Sequence, residues 1–106
     1  MASDRPDRFV HVAASILNAD LTNLGQICRD VESAGADSIQ VDVMDGHFVP
    51  ALSFGPEVTA AVVKNTSLPV EAHLMVERPA QFIQPFADAG TRDFIARARR
   101  IRKLFG

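Results

Sequence analysis

Along the chain, short runs of apolar and β-branched residues alternate with longer stretches in which apolar residues recur every three or four positions. "VHVAASIL" (10 to 17), "SIQVDVM" (38 to 44) and "LPVEAHLMV" (68 to 76) are of the first kind and predict strands. Between the first two, Leu21, Leu24, Ile27, Cys28 and Val31 fall at helical spacing, and Gly35 stands where a helix C-terminal cap belongs. "DGHFVPALSFGP" reads as a loop by its Gly and Pro content. "PEVTAAVVKNT" predicts a second helix, with Pro56 at its first position and Glu57 beside it. "RPAQFIQPFADAG" predicts a third, bent or divided by its internal Pro85. The order β-α-β-α-β-α, with crossovers long enough for parallel pairing, predicts an α/β fold with a parallel sheet. After Gly90 no fourth strand is expected. "TRDFIARARRIRKLFG" sets Phe94, Ile95, Ala98, Ile101 and Phe105 at roughly helical spacing among arginines, which predicts an amphipathic C-terminal helix.

Side chains alternate across a strand, so parity sorts the residues by face. Gln40, Asp42 and Met44 share one face of the second strand, and Glu71, His73 and Met75 share one face of the third. The opposite faces (Ile39, Val41, Val43; Val70, Ala72, Leu74) are wholly apolar and suited to packing under helices. The polar groups are expected toward the C-terminal ends of the strands, where parallel α/β proteins build their sites. A carboxylate such as Asp42 within an apolar run is costly to bury unless it is paired, hydrogen-bonded or metal-bound, so it is read as functional. His73 alone would be a satisfied core histidine. It gains interest because Asp42 is predicted on the matching face of the adjacent strand, and Asp with His is an ordinary metal-ligand pair. Asp45 followed by Gly46 reads as a turn. His47 in the loop is left open, Ser15 reads as a turn cap, and Met44 and Met75 read as core filler.

Composition narrows the class. With 106 residues, 47% hydrophobic and 23% charged, the chain is one ordinary globular domain at most, not a disordered segment. It holds no apolar run long enough for a membrane-spanning helix. The N-terminal "MASDRPDRF" has no apolar core of a secretory signal, and Asp4 and Asp7 break the acid-poor pattern of a mitochondrial presequence. The single cysteine, Cys28, has no partner for an internal disulfide and is read as a buried free thiol. The cytoplasm is the expected location. Charge is unevenly placed: residues 1–91 hold 5 Lys/Arg against 12 Asp/Glu, whereas residues 92–106 hold 6 against 1. No nucleic-acid motif accompanies the basic ending, so its arginines are read as a solvated face, and neither nucleic acid nor membrane is expected as a partner.

"ASILNADLTNLG", "AGADSIQVDVMDGHFVPALSFGP" and "LPVEAHLMVERPAQFIQPFADAG" resemble successive segments of ribulose-phosphate 3-epimerases, over about residues 10 to 90. The resemblance implies a (β/α)₈ TIM barrel of about twice this length, here truncated to about three βα units. Residues 1–9 would be an extension and 91–106 a divergent basic helix. It also implies interconversion of D-ribulose 5-phosphate and D-xylulose 5-phosphate by inversion at C3. A divalent metal ion (zinc, iron, manganese or cobalt) is the implied cofactor. In the family's mechanism one aspartate removes the C3 proton, the metal steadies the enediolate, and a second aspartate returns a proton to the other face. By this resemblance Asp42 is the first aspartate and a metal ligand, and His73 is a metal ligand. Ser15, Met44 and Met75 line the site for the pentulose 5-phosphate.

Three departures from the family pattern stand out. Gln40 occupies the place of a metal-binding histidine, which implies weakened metal binding. Ala51 replaces an asparagine. Strand four, the second aspartate and the glycine-rich phosphate loops are expected to be missing. A partial barrel leaves a sheet edge unpaired, which predicts self-association or a complementary barrel partner. The alternatives are a non-catalytic remnant or partner-binding fragment, and an epimerase for a six-carbon ketose phosphate.

Overall fold

A computed structural model describes residues 10–96 and the strand at 99–102. The extension at 1–9 and the remainder of the C-terminal segment lie outside the described residues. The elements run β1 (Ala13–Ser15), a 3-10 turn (Leu21–Asn23), α1 (Leu24–Ser33), β2 (Ser38–Met44), α2 (Pro56–Lys64), β3 (Val70–Met75), α3 (Ala80–Ala89), β4 (Asp93–Ala96) and β5 (Arg99–Arg102). They form one sheet in the order β1-β2-β3-β4-β5. The first four strands are parallel, joined by the three helices, which is the pattern of a partial (β/α) barrel. β5 returns antiparallel to β4.

Helix boundaries follow local chemistry. Asp20 caps the 3-10 turn, its carboxylate accepting from the Thr22 N–H at 3.0 Å and the Thr22 hydroxyl at 2.6 Å. This tight turn takes Leu21 out of the helix and leaves it half exposed, so the predicted helical face begins at Leu24 instead. Gly35, with φ of 96°, follows the end of α1 in the left-handed conformation that glycine adopts without strain. Pro56 opens α2, where its missing N–H costs nothing. Pro85 does not divide α3, which runs unbroken through it. Phe82 and Phe86 flank the proline with ring centroids 6.5 Å apart, and Phe86 is fully buried, so packing holds the helix across the missing bond.

The core lies between the helices and the apolar sheet face: Ile39, Val41, Val43, Val70, Ala72 and Leu74 are buried there with Cys28, Val62, Phe86 and Phe94. Burial pushes the Cys28 thiol's pKa up, against a smaller lowering by Arg29, as expected of an inert buried thiol.

Two expectations fail at the C-terminus. A fourth strand is present, and the described part of the segment is a hairpin rather than an amphipathic helix. Arginine and alanine favour helix locally, but β3 presents an open edge of N–H and C=O groups that a strand can satisfy. Pairing begins as Arg92 N–H donates to Val70 C=O at 2.9 Å, and the register then sets Phe94 beside Ala72. Strand alternation buries Phe94 and Ala96 under the helices, while Asp93 and Ile95 are less buried. Tertiary pairing thus overrides the helical spacing.

Candidate active site

Parallel register converts the parity of the sequence into a cluster. Ser15 lies beside Gln40, Gln40 beside Glu71, Asp42 beside His73, and Met44 beside Met75. These residues come from β1, β2 and β3 and share the sheet face opposite the helices.

Asp42 is the centre. It is 6% exposed, and donors from three strands surround its carboxylate. The Ser15 hydroxyl donates to Oδ2 at 2.7 Å. The Gln40 amide Nε2 donates to Oδ1 at 3.0 Å, and His73 Nδ1 lies 3.0 Å from the same oxygen. Gln40 Nε2 is also 3.1 Å from His73 Nδ1, so that ring nitrogen either donates to Asp42 or accepts from Gln40. The carboxylate beside it favours the tautomer with the proton on Nδ1, leaving Nε2 as the ring's other site. His73 is about a third exposed, enough for a ligand to reach it. Met44 and Met75 are half-buried next to this pair, and Ser15 is exposed.

The polar face is not confined to the C-terminal ends of the strands. Glu71 and Ser38 are buried lower on the same face, the Ser38 hydroxyl donating to Glu71 at 3.0 Å and accepting from His11 Nε2 at 2.9 Å. Parity put Glu71 on this face, but Ser38, which donates to it, comes from 33 positions away, and His11, which bonds Ser38, from 27 positions before that; neither contact was legible.

Asp45 does more than shape a turn. Its Oδ1 accepts from the His47 and Phe48 N–H groups, both at 2.9 Å, and its Oδ2 accepts from the Glu77 N–H at 2.9 Å. It therefore ties the loop after β2 to the start of the loop after β3. Desolvation pushes its carboxyl's pKa up, but the three backbone donors and the nearby His47 together outweigh this and hold it below the usual range. His47 itself is exposed. Ser53, unremarked in the sequence, touches the backbone of Asp42 and Met44. A loop serine carries no periodic signal that would single it out.

The donor chemistry can be tested against a divalent ion. Carboxylate oxygen and imidazole nitrogen bind such an ion at about 2.0–2.2 Å, so two donors on adjacent positions stand about 3 Å apart. Asp42 Oδ1 and His73 Nδ1 have that separation and fit as part of a ligand set once Nδ1 gives up the proton it otherwise shares with the carboxylate. Among the described residues no group of three or more His, Cys, Asp or Glu converges on a metal position. The third position near the pair is taken by the Gln40 amide. Among the described residues no helix is long and apolar enough to cross a membrane.

Comparison with known proteins bears on the family and the fold. Residues 11–104 match the Ribulose-phosphate 3 epimerase family. The match runs past Thr91, where the resemblance read from the residues was expected to stop. The ribulose-phosphate 3-epimerase of Bacillus subtilis is 52% identical over 82 residues, covering 77% of this chain and 38% of that protein. The chloroplastic ribulose-5-phosphate-3-epimerase of Arabidopsis thaliana is 46% identical over 93 residues, 84% of this chain and 33% of its own length. That of Treponema pallidum is 44% identical over 89 residues, 84% and 40%. The chain thus spans about two fifths or less of the length of these relatives. With almost all of its described residues inside the family match, and four parallel strands alternating with helices as a partial barrel, this chain belongs to the ribulose-phosphate 3-epimerase family.

Proposed function

We propose that this chain carries the proton-abstracting half of an epimerase site for a pentulose 5-phosphate, with Asp42 as the general base that interconverts D-ribulose and D-xylulose 5-phosphates through C3. The observation that carries the reading is a nearly buried carboxylate held by side chains from three adjacent strands on the helix-free face. The C3 proton of a 2-ketose is acidic because the C2 carbonyl can take up the charge as an enediolate. Asp42 accepts that proton. Ser15, Gln40 and His73 hold the carboxylate in its orientation. Met44 and Met75 supply polarisable, weakly interacting walls for the flat enediolate. Inversion then requires a proton delivered to the opposite face. Asp42 lies on one side only, so that acid is proposed to come from the portion of the family fold that the relatives have beyond this chain's length.

A divalent ion, where bound, would supply positive charge beside the developing enediolate oxygens, and Asp42 and His73 are the residues that would hold it. Two ligands with an amide in the third place support only weak binding. The partner proposed is a second copy or a complementary part of the barrel, and the compartment is the cytoplasm, in keeping with a buried free Cys28. A second reading, a non-catalytic partner-binding fragment, is favoured by Gln40, whose amide occupies the place beside Asp42 and His73.

The deciding experiment follows deuterium entering C3 of ribulose 5-phosphate in D₂O by NMR, with the purified chain and added zinc or manganese. Exchange requires the base and a stabilised enediolate but not the second acid. Incorporation supports the half-site, and a folded chain that incorporates none leaves the fragment reading in its place.

A further inference from the structure

Backbone groups alternate sides along β2. The Ile39 N–H donates toward β3, to Pro69 C=O at 3.0 Å. The Ser38 N–H donates toward β1, to Val12 C=O at 3.3 Å, and Gln40 C=O accepts from Ile16 N–H at 3.3 Å. The same alternation turns the Asp42 carbonyl and the Met44 N–H toward β1. But β1 ends at Ser15, level with Gln40, and offers no strand partner higher up. Buried backbone groups at a sheet's interior need partners, and here one residue supplies them. The Ser53 hydroxyl donates to the Asp42 carbonyl and accepts from the Met44 N–H at 2.9 Å, while the Ser53 N–H donates to the Met44 carbonyl at 3.2 Å.

Ser53 reaches this position through a closed excursion of the chain. Asp45 and Leu52 form an antiparallel bridge, and Gly46 N–H donates to Ala51 C=O at 2.9 Å, with Gly46 at φ of 75°. The Asp45 carboxylate fixes the near side of the excursion through three backbone N–H groups. The returning strand segment is thereby locked, and its serine hydroxyl sits where the missing strand would have run.

We propose that Ser53 is the positioning residue for the site: its hydroxyl replaces the absent strand neighbour and fixes the backbone from which Asp42 and Met44 project. The role rests on the epimerase reading of Asp42. A base displaced by about 1 Å loses on the order of a hundredfold in rate, so the segment that carries it must be held from both sides. β3 holds one side, and Ser53 holds the other.

The test compares the wild-type chain with Ser53→Ala and Ser53→Thr. Two readouts are taken: hydrogen exchange of the Met44 amide by NMR, and deuterium entry at C3 of ribulose 5-phosphate as kcat and KM. Ser53→Ala is expected to speed Met44 exchange by about tenfold or more. It is also expected to lower kcat about ten- to hundredfold with KM within about twofold of wild type. Ser53→Thr, which keeps the hydroxyl, restores both. An active wild type with Ser53→Ala unchanged in kcat overturns the positioning role, whatever happens to the Met44 amide. A wild type with no C3 exchange overturns the epimerase reading instead, and the positioning role falls with it. Faster Met44 exchange in Ser53→Ala would then mark Ser53 as a strand-end clip alone.

Discussion

Replacing Asp42 with asparagine separates its chemical role from its structural one. The side chain keeps its shape and volume, and its remaining carbonyl oxygen can still accept from Gln40 and His73. The new NH₂ then faces the Ser15 oxygen, which can accept by rotating its hydroxyl proton. What is lost is charge. Hydrogen bonds to an ionised group contribute about 1.5–3 kcal/mol net, against about 0.5–1.5 for neutral ones. Neutralising the acceptor of three such bonds therefore removes about 3 kcal/mol. Against this, an anion that is only 6% exposed no longer has to be desolvated, which returns several kcal/mol. The two terms oppose and are of similar size, so stability should change by no more than about 2 kcal/mol, roughly 10 °C in melting temperature. Catalysis has no such offset. An amide cannot take up a proton near neutral pH, so C3 deuterium entry should fall by about 10²- to 10⁴-fold. The assay pairs the NMR exchange experiment with a thermal melt of each chain. An Asp42→Asn chain that melts normally and still exchanges C3 at the wild-type rate would refute Asp42 as the base.

Four further outcomes follow from other parts of the molecule. Gln40→His should complete a three-residue donor set with Asp42 and His73 and tighten cobalt(II) binding by at least about tenfold, seen by titration of its visible spectrum; unchanged binding would show that the amide is not what weakens the site. Asp45 and Glu32 are both held below their ordinary carboxylate range. Asp45 is held there by backbone donors that outweigh desolvation, and Glu32 by the Ser67 hydroxyl, the Thr66 hydroxyl and the Ser67 N–H. Because the unfolded state takes up their protons first as pH falls, their stabilisation is complete above the ordinary values of 3.8 and 4.5 and is lost as pH falls through the lowered folded ones. Asp45→Asn should flatten the melting profile in that acid window and leave its slope above it unchanged, and an unaltered acid slope would count against the clamp. Gly90→Ala should destabilise by about 1–3 kcal/mol in urea unfolding, because Gly90 caps α3 at φ of 111° and an added Cβ would meet Val63 Cγ1 at 2.9 Å; an unchanged midpoint would contradict this. Phe86→Ala, at a fully buried position, should cost about 3–5 kcal/mol and leave a chain of this size near its unfolding threshold, which a loss of the cooperative melt would reveal.

The sequence by itself determined the register-independent features. Period-two alternation placed Asp42 and His73 on one face of their strands, and the apolar complement Ile39, Val41 and Val43 on the other, because a strand has only two sides. Helices were legible where caps and punctuation were strong: Gly35 after α1 and Pro56 opening α2 mark boundaries the structure keeps. The family signature was legible from the residues as well, although its reach past Thr91 was not.

Only the tertiary structure decided what depends on neighbours distant in the chain. Phe94 and Ile95 carried a helical spacing, yet they form a strand because β3 offered an unpaired edge, and backbone hydrogen-bonding there outweighs a local propensity of a few tenths of a kcal/mol per residue (~0.7 at most for ordinary residues). Pro85 was expected to bend or divide α3, but burial of Phe86 on the sheet keeps the helix continuous. The three-donor cradle of Asp42 required the parallel register that brings Ser15 and His73 beside β2 from 27 and 31 positions away. Ser53 and Asp45 belong to the same class. Their polar atoms meet backbone groups that exist as unmet needs only once the strands are assembled, so no pattern along the chain could announce them.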